Sequence, residues 1–537
     1  MQNRASGTVP GALHEVLPMT KTTWNPVASQ ALLADFLTAV ANRPHLEGLP
    51  VQERAREALG GGSRADAILQ AFASVLAFSS AELSKDCNIL DEEDLATDAA
   101  NRIVLPVQAQ RLQARIDAVE ADLRGATRCP VQGCDGKAHS RGRAPRTLIG
   151  RHGKMTVTLR QSVCEKPECG HRFAPAEKAL GLTGSRFTPG CAEVVTMLAT
   201  TVPHGKAVIL AADLLRIEVS EHAVQDLVEA RASVLLALDT AAAHHHAPFD
   251  STGLERSYGR PADAIAAGDT PDVAYIEADG VLPVTRELLP EKSAEVPGAR
   301  GGKGRKFKTE GREVKNAVLY PASAQAQEMP SRGCLLKRTY VSHLGHWMPF
   351  ALLVWLAMLR LRFDRAKLIV VLSDGAEWIR TMANWFPTAN HTILILDFYH
   401  AAHRIWDLCR AIYGTDTDLC RHKAKLWCAV IEDGGVQGII NELKEMRDSR
   451  PAVQEIIDAL VTYFDNNKQR MDYPAYTARG LRITSGIVES ANFHVTGARL
   501  KQQGMRWSEG GAREMAMLRA DLCNRDWSRR SRQLLAA

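Results

Sequence analysis

The sequence predicts a multidomain α/β protein, and three observations carry that reading. Runs with a period of two alternate with helical runs between residues 270 and 400, two cysteine pairs bracket an alternating stretch ahead of them, and apolar residues recur at helical spacing elsewhere. The 537 residues allow about three to four folded units at roughly 100–200 residues each. A content of 45% hydrophobic and 24% charged residues excludes collagen-like, disordered and coiled-coil classes. The net charge is only +5, from 66 Lys and Arg against 61 Asp and Glu. Any nucleic-acid binding therefore falls to local patches and not to the field of the whole chain.

Residues 1–125 read as a helical N-terminal region. Ser29 to Ala41 and Asp66 to Ala81 have helical periodicity, Gly60-Gly61-Gly62 separates them, and residues 103–125 form a third amphipathic run. No chemistry is assigned there; a helical cap or a dimerisation arm is the simplest expectation. The first 20 residues lack a continuous apolar core behind a basic start, which argues against a secretory signal. The apolar stretch Trp347 to Leu361 is interrupted by Pro349 and Arg360 and falls short of the about 18–20 residues that span a bilayer. A cytoplasmic protein follows, with no membrane partner, and its eleven cysteines are read as metal ligands before disulfides.

Residues 126–182 read as a zinc ribbon. Cys129 and Cys134, then Cys164 and Cys169, form two C-x4-C knuckles, and Thr147 to Val163 alternates like a hairpin with its turn near His152-Gly153. Four thiolates on two tight turns satisfy a tetrahedral Zn²⁺ with bonds of about 2.3 Å, and a closed four-Cys shell makes that zinc structural. Residues 183–246 return to helix. Gly205-Lys206-Ala207 opens a short helix, Arg216 to Val219 is a turn, and Ser220 caps a longer helix. This is the outline of a helix-turn-helix, although any αα-hairpin shares it. His244-His245-His246 reads as a solvated linker.

From Asp272 the pattern gives a strand ending at Asp279-Gly280, a second in EVKNAVLYPA, a third in LLKRTYVSHLG, a helix, a buried strand ending at Asp374, a helix, and a fifth strand running into a helix. That is the order of an RNase H-like fold, in which the first and fourth strands are neighbours. Asp279 and Asp374 would then face each other. Phosphodiester cleavage by two Mg²⁺ ions needs acidic oxygens around metals about 3.5–4 Å apart, and oxygen-only ligands suit Mg²⁺. The following Gly280 and Gly375 would leave room for a phosphate. Glu489, in the first turn of a helix opened by Ser485-Gly486, is the third carboxylate. Taken singly, each acid has a plainer explanation: Asp-Gly is a common turn, and a Glu favours a helix start.

These residues resemble the DDE-type transposases of bacterial insertion sequences, specifically the ISKra-type group related to the Mutator-like superfamily. The matching pieces are the paired knuckles, Glu277-Ala278-Asp279-Gly280, Gly311 to Lys315, Ser373-Asp374-Gly375-Ala376-Glu377-Trp378-Ile379, Asp397-Phe398-Tyr399-His400, Ser485 to Ser490 and Gly504 to Ser508. They span about residues 125–525, and residues 1–120 carry no matching motif. The resemblance implies a catalytic, magnesium-binding triad of Asp279, Asp374 and Glu489. It implies a core at 270–400, an all-helical insertion at 401–484, and a segment 485–537 with the Glu helix and a basic tail. Asp397 and His400 are implied to support the active site or the DNA; Asp397 competes with Asp374 as second carboxylate, and Asp374 is preferred because it ends the fourth strand.

Charge placement adds two patches. Arg300, Lys303, Arg305, Lys306, Lys308, Arg312 and Lys315 stand against two Glu in a glycine-rich loop, and nine cations, Arg499, Lys501 and Arg506 among them, stand against four acids to Arg532. Such patches contact phosphates; ordinary solvated faces are the alternative. The expected function is a bacterial, nucleoid-associated DNA transposase. It would act with two Mg²⁺ (or Mn²⁺) and one structural Zn²⁺, as a dimer or larger assembly on double-stranded transposon ends and target. The runner-up is a zinc-ribbon and helix-turn-helix DNA-binding protein without activity. An RNA-guided nuclease is rejected, because its acids run Asp, Glu, Asp and its ribbon lies late in the chain.

Overall fold

The alternation between Thr147 and Val163 becomes a long hairpin. The computed structural model describes residues 50–79, 89–123, 127–182, 184–249, 265–288, 307–329 and 332–536. The stretch Ser29 to Ala41 and the loop cations Arg300, Lys303, Arg305 and Lys306 lie outside them. The chain divides into two units, Met1–Leu148 with His152–Ala176 and Ile149–Arg151 with Glu177–Ala537.

In the first unit, α1 (Val51–Ala58), α2 (Gly62–Ser79) and α3 (Ile89–Asp122) precede a four-stranded sheet in sequential order: β1 (Thr127–Arg128), β2 (Lys137–Gly150), β3 (Gly153–Cys164) and β4 (Arg172–Phe173). β3 buries Met155, Val157 and Leu159 between exposed residues, the period expected of a half-covered strand. The run expected at 103–125 is the second part of α3, which continues through Pro106. It packs within its own chain: Gln113 Oε1 accepts from Thr158 N at 2.7 Å, Glu120 Oε1 from Arg160 N at 2.6 Å, and Ile116 is fully buried.

The second unit opens with α4 (Pro189–Thr201), α5 (His204–Leu215) and α6 (Glu221–His245). Arg216 turns the chain in the left-handed region at φ +53°, and Ser220 Oγ accepts from Ala223 N at 3.2 Å to cap α6. The three histidines end α6 and are not a linker: His246 is buried, and its carbonyl accepts from Trp355 Nε1 at 2.9 Å.

A five-stranded mixed sheet follows, ordered β11-β8-β5-β12-β13. β5 (Val273–Val281), β8 (Val314–Pro321) and β11 (Thr339–Leu344) pair antiparallel, whereas β12 (Leu368–Ser373) and β13 (Thr392–Leu396) run parallel to β5. Two side hairpins, β6 (Val284–Leu288) with β7 (Phe307–Gly311) and β9 (Gln325–Met329) with β10 (Arg332–Leu335), interrupt the meander. Alternation along β5 divides the core. Ala274, Ile276 and Ala278 pack with α7 (Trp347–Arg360) and α8 (Glu377–Trp385). Tyr275 faces α9 (Phe398–Tyr413) and the helices α10 (Asp418–Glu432), α11 (Val436–Arg447), α12 (Gln454–Asn467) and α13 (Tyr473–Ala478).

After α14 (Gly486–Ala491) the chain makes a π-helical segment over Asn492–Gly497. The expected basic tail is instead folded as α15 (Glu509–Cys523) and α16 (Trp527–Ala536), with Met515, Leu518 and Trp527 in one cluster with α4–α6. Among the described residues no helix is long and apolar enough to cross a membrane.

Candidate active site and metal centre

Two carboxylates meet on the central strands. Glu277 is in register with Leu372 on parallel neighbours, so Asp279 and Asp374, each two residues further on, stand at the same level. Burial and then the charge of Asp374 push the Asp279 carboxyl up. The Gly280 N–H at 2.7 Å, His400 and the Asn492 amide at 2.6 Å oppose that shift. Asp374 Oδ1 accepts from Ala376 N at 2.9 Å where α8 begins. Tyr463 of α12 donates to the Asp374 carbonyl at 2.8 Å, so the helical insertion braces this turn.

Glu489 lies in the first turn of α14, with its side chain 56% exposed and Oε1 3.6 Å from His400 Nε2. Asp397 is buried and caps α9, with one oxygen accepting from His400 N at 2.7 Å and the other from Ser485 N. Both its oxygens serve backbone donors and it is 1% exposed, so it braces the His400 and Ser485 segments, whereas Asp374 is only partly buried.

Two features went unread in the sequence. Glu277 is 0% exposed and accepts from Tyr320 Oη at 2.6 Å, Val488 N at 2.9 Å and Ile487 N at 3.1 Å; burial pushes its carboxyl up. Asn316, also buried, donates to Asn492 Oδ1 at 2.8 Å and Thr496 Oγ1 at 2.9 Å, and accepts from Ser342 Oγ at 2.7 Å. A charge inside the otherwise apolar start of β5, on the face shared with Asp279, was the available signal for Glu277.

The room expected beside the Asp-Gly pairs is taken. A Cβ on Gly280 would lie 2.1 Å from Glu313 Oε1, and Gly375 adopts φ +96° with Leu396 within 2.9 Å of its would-be Cβ. Glu313 also accepts from Trp378 Nε1 at 3.1 Å and from Lys315 Nζ. Lys315 is therefore not a phosphate contact: it is 6% exposed, paired with Glu313 and 5.0 Å from the Trp378 ring centre. Arg499 needs the same correction, being 2% exposed, stacked on Trp507 and donating to the Ala199 carbonyl at 3.1 Å. Lys308 pairs with Glu310 at 3.0 Å, and Arg312 with Glu310 at 2.6 Å and Glu509 at 2.5 Å. Lys501 and Arg506 are exposed.

The oxygen donors of Asp279, Asp374 and Glu489 are chemically suited to Mg²⁺. They do not close to within 4.8 Å of one another; among the described residues only the four cysteines form such a group of three or more. A pair of ions about 4 Å apart with bonds of about 2.1 Å tolerates outer carboxylates separated by up to about 8 Å. At the knuckles, Cys129 Sγ is 3.6 Å from Cys169 Sγ, and Cys134 Sγ is 3.7 Å from Cys164 Sγ. Tetrahedral Zn–S bonds of about 2.3 Å require sulfurs about 3.8 Å apart. Cys129, Cys134, Cys164 and Cys169 could thus hold one zinc ion with little movement.

Residues 337–533 match an uncharacterised protein family, UPF0236. The match takes in Asp374, Asp397, His400 and Glu489 but not Asp279 or the four knuckle cysteines. No curated protein matches the chain.

Proposed function

We propose that this protein is a DDE-type DNA transposase. Its RNase H-like core would cleave the ends of an insertion sequence and transfer the freed 3′-hydroxyl to target DNA. The observation that carries the reading is Asp279 and Asp374 at one level of adjacent parallel strands in a sheet ordered 3-2-1-4-5 by chain position, with Glu489 Oε1 3.6 Å from His400 Nε2. Burial first and then the charge of Asp374 raise the Asp279 carboxyl, and a bound cation would offset both.

Asp279, Asp374 and Glu489 would hold two Mg²⁺ or Mn²⁺ ions. Bound there, the ions supply Lewis acidity to the phosphate and lower the pKa of the attacking water. Asn492 fixes one Asp279 oxygen, and the Asp374 turn is held from both sides by Ala376 N and Tyr463. His400, 3.6 Å from Glu489, orients that flexible side chain.

DNA would be held by a subset of the basic residues. The exposed start of α6 carries Glu221, Asp226 and Glu229 beside His222 and Gln225, a poor surface for phosphate. We assign end binding to the ribbon, where Arg141 is exposed on β2, and to Lys501 and Arg506. The test is cleavage of DNA containing the sequences that flank the gene, with Mg²⁺ and with EDTA. Asp279→Ala, Asp374→Ala and Glu489→Ala should each lower cleavage by at least about 100-fold while end binding persists. Unchanged cleavage by Asp279→Ala and Asp374→Ala sinks the proposal, and binding without cleavage by the wild type leaves only a DNA-binding protein.

A further inference from the structure

Side chains on one face of β5 repeat every second residue, and three of them are polar: Tyr275, Glu277 and Asp279. Each meets the returning segment that carries Glu489, and in the same order. Tyr275 Oη accepts from Arg482 N at 3.3 Å, Glu277 Oε2 accepts from Ile487 N and Val488 N, and Asp279 Oδ2 accepts from Asn492 at 2.6 Å. Glu277 is the middle and most buried of the three. The first N–H groups of a helix lack partners within it, and α14 has six residues, too few to be stable alone. Its Ser485 side chain makes no cap; the buried carboxylates of Asp397 and Glu277 take the N–H groups of Ser485 and Ile487, and Glu277 shares that of Val488 with the Ser485 carbonyl.

We propose that Glu277 is a positioning residue, a buried carboxylate that docks the first turn of the Glu489 helix onto the strand bearing Asp279 and so sets the spacing of the two. The inference rests on the reading of Asp279 and Glu489 as ligands of a divalent cation. Strength comes from an asymmetry of burial. A carboxylate at 0% exposure is tolerated only with donors on its oxygens, and two of its three donors belong to the residues immediately before Glu489. Tyr320, stacked on Tyr275 with ring centres 5.1 Å apart, supplies the third from β8 and fixes the carboxylate's orientation.

The variants Glu277→Gln, Glu277→Asp and Glu277→Ala separate this role from general stability. Gln keeps an acceptor for the two N–H groups and can donate to Tyr320 Oη, whereas Asp keeps the charge but withdraws the carboxylate by one methylene. The readouts are Mn²⁺ binding by full-length, DNA-free protein, measured by electron paramagnetic resonance, and amide hydrogen exchange of Ile487 and Val488. Folding of every variant is checked by its thermal unfolding. Gln should stay within about threefold of wild type; Asp and Ala should weaken Mn²⁺ binding about 10–100-fold, as loss of a ligand-orienting partner does, and speed exchange at the two amides. A folded Glu277→Asp protein with wild-type Mn²⁺ affinity and protected amides overturns the proposal, provided that Glu489→Ala has lost Mn²⁺. If Glu489→Ala and Asp279→Ala bind Mn²⁺ as wild type does, the ligand reading itself fails.

Discussion

His343 shows at the level of one residue what burial imposes. It sits on β11 at 8% exposure, beside Arg513 and Lys315, and burial followed by those two positive charges pushes its pKa from 6.5 down to about 4. Between pH 4 and 6.5 the unfolded chain therefore binds a proton that the folded protein refuses, so stability falls as pH falls through that window. At about 1.4 kcal/mol per unit the loss reaches roughly 3 kcal/mol near pH 4. Many carboxylates titrate in the same range, which makes the difference from His343→Gln the informative quantity. In denaturant unfolding, the drop in stability between pH 7 and pH 4.5 should be visibly smaller in His343→Gln than in the wild type. Parallel curves for the two proteins would show that the ring is already charged in the folded state.

Elements were legible where one physical cause dominated. The ribbon could be read because cysteine spacing and a period of two point the same way, and the five strands of the central sheet and their helices between Val273 and Tyr413 followed from the change of period, whereas the two side hairpins, β6–β7 and β9–β10, were not read. Asp279 and Asp374 were readable as strand-end acids. Glu277 was not, because its meaning comes from two N–H groups more than 200 residues away. Burial within the tail was illegible for a related reason: charge counts do not say that Arg499 is buried on Trp507, that Arg519 donates to the Val495 and His494 carbonyls or that Arg530 is locked between Asp239 and Asp521. For the ribbon the consequence is testable. With zinc at the four sulfurs, Cys129→Ser and Cys164→Ser should each reduce bound zinc to well below one equivalent by metal analysis. They should also expose the β2–β3 hairpin to proteolysis, because a structural site contributes directly to folding. Full zinc content in both variants would remove the metal from the account.

For the whole molecule, a net charge of +5 says little until the cations are sorted by what they touch. Lys315, Arg499, Arg519 and Arg530 are all under 10% exposed and spent on internal partners, so they belong to the stability of the second unit. Lys501 and Arg506 are exposed and remain free to neutralise phosphate if the chain binds DNA as proposed. The two groups should separate in one pair of measurements. Lys501→Ala and Arg506→Ala should each lower the slope of log K against log salt by about 0.9 per lost phosphate contact, with little change in thermal unfolding. Lys315→Met and Arg499→Met should leave the salt slope alone; Arg499→Met should cost about 1–3 kcal/mol of stability because it strands the buried Ala199 carbonyl, and Lys315→Met should cost less, because its partner Glu313 has a side chain 34% exposed and can turn to water. An Arg499→Met protein of unchanged stability with a reduced slope would place that guanidinium on DNA and require the Trp507 segment to open when DNA binds.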